Sequence, residues 1–262
     1  MDERRGKVVA EMVIPITVIL AFGLIIFRDV IPGSAVLFTT DANLGSLQEL
    51  KSTLPLGFFG FWKLSPFFGN DGIRALSPTN LLAWLLPLQV FNDFIYLIYL
   101  YIGAISLFLF LRLRKVDWLG SLCGALVFAF VGSNLTLAYA GHIGKFGVLA
   151  FGTAALCCAE KLSRTGRWTW ALLLGGAVGC MFLEQQDVAL FLGIFVGAYS
   201  VYAIIRSSVR KTSAFSLLGV AVATILMVAG PTMKRVYSRN VPGTSAEKPQ
   251  EMTSTERWDF AT

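Results

Sequence analysis

Charged residues are scarce in this sequence. They make up 15% of its 262 residues, whereas a soluble domain carries about 25%. Hydrophobic residues make up 55%, a balance that excludes an ordinary soluble domain and indicates an integral membrane protein. The net charge of +6 does not point to nucleic acid, because Lys and Arg form short clusters between apolar segments and no basic face or aromatic RNA-binding motif is present.

Cysteine and histidine are equally sparse, which limits the metal and nucleophile chemistry that the chain can carry. The four cysteines lie inside apolar segments and show neither metal-ligand spacing nor polar neighbours, so we interpret them as small packing residues. They are Cys123, Cys157, Cys158 and Cys180. The nucleophile elbow, the Walker loop, HExxH and CxxC are absent from the sequence, so the common motifs of soluble enzymes are excluded.

The sequence contains a series of long apolar segments instead. A spanning helix needs about 20 mostly apolar residues. The segments predicted to span are residues 10–31, 93–111, 117–139, 146–160, 168–183, 188–205 and 212–231. The first is too long for a signal peptide and has no small-residue cleavage site after it, so we interpret it as an anchor. The sequence thus predicts an all-α polytopic membrane protein of seven spans, with a transmembrane domain over residues 1–231 and a polar outer tail over 232–262.

Basic residues predict the orientation of these spans. They cluster at the N-terminus and in every second loop, and the positive-inside rule places such clusters in the cytoplasm. The clusters are Arg4, Arg5 and Lys7; Arg112, Arg114 and Lys115; Lys161, Arg164 and Arg167; and Arg206, Arg210 and Lys211. The N-terminus is then cytoplasmic. Loop 32–92, the turns near His142 and Glu184, and the tail from Thr232 lie outside.

The first outer loop, residues 32–92, is the longest connection, and its aromatic and apolar content argues against disorder. Leu44, Leu47 and Leu50 recur at helical spacing, which predicts a helix lying in the membrane interface. Residues 81–91, LLAWLLPLQVF, are too short to span alone and predict a re-entrant or interfacial helix. The loop is therefore expected to lie at the membrane surface and to contain interfacial helices.

The tail is polar and shows no periodicity, yet its last residues include Trp258 and Phe260. Two interpretations fit this pattern: a disordered extension, or the opening of a further region of a larger protein. Apolar side chains that need a partner to be buried favour the second interpretation.

Asp41, in the stretch TTDANLGSL, is the first candidate for a reactive group. An aspartate before a short helix commonly acts as an N-cap, a hydrogen bond worth about 1 kcal/mol. The alternative is a base or metal ligand at the membrane surface. The two roles are compatible, because a carboxylate oriented by backbone donors is also positioned for chemistry.

Cationic residues on the predicted outer side are candidates for binding a phosphate. Lys63 and Arg74 could grip a phosphate in the outer loop, although both also fit interfacial residues that pair with lipid headgroups. The turn AGHIGK contains His142, the one histidine of the chain, together with Lys145. This pair predicts a small cationic site, because a lysine at membrane depth is unfavourable without an anionic partner. The alternative for His142 is an ordinary helix-end residue.

Acidic residues and amides mark two further outer positions. The turn EQQD contains Glu184 and Asp187, whose i, i+3 spacing would bring the carboxylates together on one helical face as a site for a metal or a sugar. The alternative is a tight turn that is polar because it faces water. Asn92 and Asp93 begin a predicted span and are expected to cap it.

The order of these features resembles a known family. An N-terminal anchor, the acid in TTDANLGSL, the aromatic stretch FWKLSPFFGNDGIRALSPTNLLAWLLP, the GHIGK turn and a helix pair joined by a polar turn resemble YfhO-type bacterial membrane proteins. Those proteins are similar in fold to the C-superfamily glycosyltransferases. Their chains are much longer, so the resemblance concerns an N-terminal part of the family.

The resemblance implies a function and a partner set. It implies transfer of a sugar from a polyprenyl-phosphate donor to an acceptor on the outer face of the bacterial inner membrane, with Asp41 as base or as ligand of a divalent metal. Membrane lipids and the lipid-linked sugar are the implied partners, nucleic acid is not, and other membrane chains are a further option. The alternative function is a non-catalytic subunit of a membrane complex. A transporter would carry charged or broken spans, of which the sequence shows almost none.

Overall fold

Each of the seven apolar segments is helical in the computed structural model, which describes residues 2–30, 36–37, 39–59, 61–64, 69–72, 75–207, 209 and 211–240. Two short outer helices precede the main bundle, whose helices follow one another with brief turns. The helices are α1 (Asp2–Ile26), α2 (Leu44–Ser52), α3 (Pro78–Leu85), α4 (Leu88–Leu113), α5 (Trp118–Phe130), α6 (Gly132–Ala140), α7 (Ile143–Thr165), α8 (Trp168–Glu184), α9 (Gln186–Ile205) and α10 (Lys211–Asn240).

Five helical stretches of the described chain are long and apolar enough to cross a membrane. They are Leu88–Leu113, Trp118–Ala140, Ile143–Thr165, Gln186–Ile205 and Phe215–Lys234. Two shorter apolar helices, Glu11–Ile26 and Trp168–Glu184, occupy the other two predicted spans. The chain is therefore an α-helical polytopic membrane protein, and the count of seven spans stays a prediction.

Helices α4 and α7 form the centre of the bundle. Of the most apolar part of each helix, 44% is buried in α4 and 56% in α7, against 11% in α10. Tyr96 and Phe146 meet edge to face between them, with ring centroids 5.2 Å apart, and Gly103 of α4 lies against the backbone of Ala150. The paired small and aromatic residues explain why these two helices pack closely.

The stretch Trp118–Ala140 is broken at Val131, whose extended backbone (φ −62°, ψ 145°) separates α5 from α6. The break frees carbonyl groups, and Asn134 satisfies two of them: its Nδ2 donates to the oxygens of Phe128 (2.7 Å) and Ala129 (3.3 Å). Such satisfaction is needed where water is scarce. The expectation of nearly unbroken spans is wrong at this point, because one side-chain amide can replace the missing helical bonds.

The described residues of the basic clusters belong to helix ends, and contacts between these ends join α1, α4, α7 and α9 at one end of the bundle. Arg112 pairs with Glu11 of α1 at 2.8 Å. Arg114 and Arg164 both pair with the buried Glu160, at 3.6 and 2.7 Å. Ser207, beside the fourth cluster, donates to the carbonyl oxygen of Ser163. The described helix ends that carry basic residues therefore lie at one end of the bundle, and we term the opposite end the outer end. The side of the membrane that each end faces stays a prediction.

The outer loop contains α2, as the sequence predicts, whereas the helix predicted over residues 81–91 is divided at Leu86 and Pro87: residues 81–85 belong to α3, and residues 88–91 open α4. The loop also contains a short antiparallel hairpin of β1 (Phe61–Leu64) and β2 (Gly69–Gly72). Lys51 joins α2 to α3, because its Nζ donates to the carbonyl oxygens of Ala83 (2.9 Å) and Leu86 (2.5 Å) at the end of α3. A lysine at this end also matches the negative pole of the helix. The position of α2 and α3 relative to a membrane stays a prediction.

Helix α10 continues past the predicted end of its span to Asn240. The first residues of the expected polar tail are thus helical. Residues 241–262, with Trp258 and Phe260, lie outside the described residues.

Candidate functional site

The candidate site is built where the segment that follows α1 crosses the turn between α6 and α7. This Asp41 segment (residues 36, 37 and 39–43) donates two backbone hydrogen bonds to the end of α6: Thr40 N to Tyr139 O at 3.2 Å, and Asp41 N to Ala140 O at 3.1 Å. Gly141 ends α6 with a φ of 89°, a conformation that favours glycine. A Cβ at Gly141 would lie 2.6 Å from Ala42 N, so the close crossing also requires glycine.

The carboxylate of Asp41 faces the imidazole of His142. Its Oδ2 lies 3.8 Å from His142 Nδ1, and the side chains are 64% and 36% exposed. Asp41 does not cap α2: the cap is Asn43, whose side-chain oxygen accepts from Ser46 N at 2.9 Å. The capping interpretation of Asp41 is therefore wrong, and its carboxylate is accessible as a proton acceptor beside an imidazole.

His142 and Lys145 occupy the start of α7. His142 precedes the helix without capping it through its side chain, and Lys145 N donates to His142 O at 3.1 Å. The two side chains belong to one turn at the positive end of the helix dipole. Lys145 is half-buried. The structure thus places the His142 imidazole beside the Asp41 carboxylate, and the cationic site expected of His142 and Lys145 stays a prediction.

Glu184 is directed into the bundle rather than into the outer turn. Its Oε1 accepts from Thr79 N at 2.8 Å and from Tyr99 OH at 3.0 Å, and its Oε2 accepts from Thr79 Oγ1 at 2.5 Å. Thr79 is the second residue of α3, so the carboxylate sits at the positive end of that helix. Gly147 makes room for it, since a Cβ there would lie 2.7 Å from Glu184 Cγ.

Asp187 does not join Glu184. Gln185 has an extended backbone (φ −153°, ψ 109°) that ends α8 before α9 begins, so the i, i+3 spacing is not helical. Asp187 is exposed, and the amide of Gln185 donates to its Oδ2 at 3.4 Å. Of the two expected ligands, one carboxylate is consumed by internal hydrogen bonds and the other faces away from them.

Asn92 and Asp93 are buried inside α4, which begins four residues before Asn92 at Leu88. They are 1% and 4% exposed. Both bind the backbone of Leu37 in the Asp41 segment, through Asn92 Nδ2 to Leu37 O (2.9 Å) and Leu37 N to Asp93 Oδ1 (3.2 Å). The expected capping role is wrong. The sequence signal for burial was a polar pair among apolar residues. The predicted span began at residue 93, too late to place both residues inside the helix.

The other predicted cations lie on or beside the hairpin. Lys63 pairs with Asn70 in the register of β1 and β2, and Asp71 pairs with Trp62. Arg74 lies outside the described residues, as does the side chain of Lys63. Their expected role in phosphate binding stays a prediction.

A groove of about 330 Å³ opens beside Asp41. It is lined by residues on both sides of Asp41 in the sequence: Val36, Leu37, Thr39, Asn43, Leu44 and Gly45. Among the residues that the structure describes, no three of His, Cys, Asp or Glu are grouped as a metal site. Asp41 and His142 offer two ligands, which is fewer than a resident divalent metal takes from protein in most sites.

No protein-family model matches this chain, and neither the curated proteins nor the solved structures compared with it give a match. The family resemblance drawn from the residues thus remains a hypothesis.

Proposed function

We propose that this chain is a glycosyltransferase-like membrane protein that transfers a sugar from a polyprenyl-phosphate donor to an acceptor on the outer face of the bacterial inner membrane. The observation that carries the proposal is the state of Asp41. Its carboxylate is 64% exposed, faces His142 at 3.8 Å and is not needed as a helix cap, because Asn43 supplies that cap. A carboxylate held by its backbone and free in its side chain is suited to proton transfer.

In the proposed step, the Asp41 carboxylate takes the proton from an acceptor hydroxyl, and the hydroxyl oxygen forms a bond to the anomeric carbon. The bond from that carbon to the phosphate oxygen breaks, and polyprenyl phosphate leaves with the electron pair. We assign to His142 and Lys145 the role of stabilising the phosphate charge. Lys63 and Arg74 are the further candidates for this role. Atoms and charge balance without a cofactor.

The groove beside Asp41 supports this assignment. Leu37 and Leu44 give it apolar walls, and the exposed Asn43 contributes a polar side chain, whose oxygen already accepts from Ser46 N. Such a combination suits a ligand with a lipid part and a sugar part. A divalent metal is not built into the step, because the described donors do not provide a full ligand set.

The test compares Asp41→Asn with Asp187→Asn in the full chain reconstituted in liposomes. Both variants remove one exposed outer carboxylate, and asparagine keeps the size of aspartate. The readout is release of polyprenyl phosphate from a panel of short-chain polyprenyl-phosphate hexoses and pentoses. We expect Asp41→Asn to lose release by at least 100-fold, in the range typical of a lost general base, and Asp187→Asn to keep it. Equal release by all three proteins, or none by the wild type, would overturn the proposal.

A non-catalytic role in a membrane assembly is the second candidate, and one observation favours it. Only 11% of the most apolar part of α10 is buried, and a Cβ at Gly219 or Gly230 would meet no atom within 4 Å. Small residues on an open face allow another helix to approach closely. Under this candidate, Gly219→Leu would reduce the assembly mass measured in native membrane extracts, while Asp41→Asn would leave it unchanged.

A further inference from the structure

Two consecutive buried side chains of α4 bind the backbone of one residue of the Asp41 segment, Leu37. Asn92 Nδ2 donates to Leu37 O at 2.9 Å, and Leu37 N donates to Asp93 Oδ1 at 3.2 Å. Asn92 also donates to Asp93 Oδ1 at 2.8 Å, which fixes the two side chains relative to each other. Both polar groups of Leu37 are therefore satisfied by side chains, in the way that a neighbouring strand would satisfy them.

Burying Asn92 and Asp93 costs desolvation free energy, which their hydrogen bonds must offset. Asp93 is 4% exposed, and in the described part of the chain it forms no ion pair with a cation. A buried carboxylate that only accepts hydrogen bonds carries a desolvation cost. Apolar residues at these positions would pack in α4 without that cost but would leave the Leu37 peptide unheld.

The Asp41 segment makes a second set of hydrogen bonds three and four residues after Leu37. Thr40 and Asp41 donate their backbone N–H groups to the end of α6, and Thr40 Oγ1 donates to Ala140 O at 3.0 Å. The backbone that carries Asp41 is thus fixed on α4 at one side and on α6 at the other. Only the Asp41 side chain is left to face His142.

We infer that Asn92 and Asp93 are positioning residues for Asp41, which hold Leu37 so that the Asp41 carboxylate faces the His142 imidazole. The inference rests on the proposed function for the role of Asp41, but the geometry of the contact can be measured without activity. Neither residue is among those that line the groove, but both bind the backbone of Leu37, which is. The effect on Asp41 therefore passes through the backbone of the Asp41 segment.

The two positions respond differently to substitution. Asn92→Ala removes the donor to Leu37 O and the bond to Asp93. Asp93→Asn keeps an acceptor oxygen for Leu37 N, removes the charge and replaces the other carboxylate oxygen with an NH2 group. If Asp93 acts through this hydrogen bond, Asp93→Asn will hold the segment in place and Asp93→Ala will not.

The experiment uses the one histidine of the chain. Full-length protein with ¹⁵N-labelled histidine in nanodiscs gives a single imidazole, whose ¹⁵N shifts report the neighbouring carboxylate. Asp41→Asn defines the shifts without that charge. We expect Asn92→Ala and Asp93→Ala to move the wild-type shifts toward those of Asp41→Asn, and Asp93→Asn to leave them at the wild-type values. Tyr199→Phe, which removes a half-buried hydroxyl at the other end of the bundle, is the control and should also leave them unchanged.

Asn92→Ser replaces Asn92→Ala if the alanine variant does not fold. Wild-type shifts in Asn92→Ala or Asn92→Ser overturn the inference, and so do shifts in Asp41→Asn that equal the wild type, because the contact would then be absent. In the transfer assay we expect a fall in kcat on the order of 100-fold with little change in KM, as for a misplaced catalytic group. A wild type without transfer activity would remove the proposed function, while the imidazole shifts would still decide the positioning.

Discussion

The carboxylate of Glu184 accepts hydrogen bonds from both the backbone N–H and the hydroxyl of Thr79, 105 positions earlier in the chain. Glu184 ends α8, and Thr79 lies in the first turn of the short outer helix α3. One side chain therefore ties the outer loop to the main bundle. This contact gives Glu184 a structural role where the sequence predicted a ligand.

Glu184→Ala should destabilise the protein by about 2–3 kcal/mol, because it leaves Thr79 N without its acceptor and leaves the hydroxyls of Thr79 and Tyr99 to bond only to each other. Glu184→Gln should cost less, about 1 kcal/mol, since one amide oxygen can still accept. The measurement is the free energy of unfolding by SDS titration in mixed micelles. Asp187→Asn, at an exposed carboxylate of the same turn, is the control with no change expected. A stable Glu184→Ala variant would contradict the anchoring role.

Adjacent glycines of α8 should respond in opposite ways to alanine. A Cβ at Gly175 would lie 2.4 Å from the carbonyl oxygen of Ala221 and 2.6 Å from Thr224 Cβ on α10, whereas a Cβ at Gly176 would meet nothing within 4 Å. Gly175→Ala should cost roughly 1–3 kcal/mol through overpacking. Gly176→Ala should be neutral or slightly stabilising. The same SDS titration compares them, and equal stabilities would show that α8 and α10 do not pack as described.

Glu160→Gln should loosen the end of the bundle at which the basic clusters lie. Glu160 is 3% exposed and accepts from Arg164 Nε at 2.7 Å and Tyr199 OH at 2.6 Å. Losing a fully buried ion pair costs roughly 3–5 kcal/mol. We expect about 2 kcal/mol here, because the arginines are partly exposed and can turn to water. Tyr199→Phe should cost about 1.5 kcal/mol. A smaller loss for Glu160→Gln than for Tyr199→Phe would contradict this order.

Cysteine labelling tests the predicted topology. After the four native cysteines are replaced by alanine, single cysteines are introduced at the exposed positions Lys115 and Thr165 and at the exposed positions Ser46 and Asp187. The first pair lies at the end of the bundle with the basic clusters, so we expect an impermeant maleimide to label it only in inverted vesicles. The second pair should react in right-side-out cells. Labelling of both pairs from one side would refute the orientation.

The sequence by itself determined the helices and the common end of the basic clusters. Apolar length is a local property, and it located each main segment, although α1 begins eight residues before its predicted start and α10 ends nine residues after its predicted end. The spacing of Leu44, Leu47 and Leu50 likewise predicted α2, of which Leu47 is buried. A segment such as 118–140 with one buried asparagine gave no local sign of the break at Val131, because that break depends on where a single amide finds carbonyl groups.

Only the tertiary structure decided what the polar residues do. From the sequence, Asp41 could be either a helix cap or a reactive group. The structure shows that Asn43 caps α2 and that the Asp41 carboxylate lies beside His142, 101 positions away. Glu184 and Asp187 were paired by spacing and separated by the backbone of Gln185. Asn92 and Asp93 found Leu37 across 55 and 56 positions. Local composition determines which segments bury themselves in a membrane, but the partner of a polar group depends on which helices pack together and in what register.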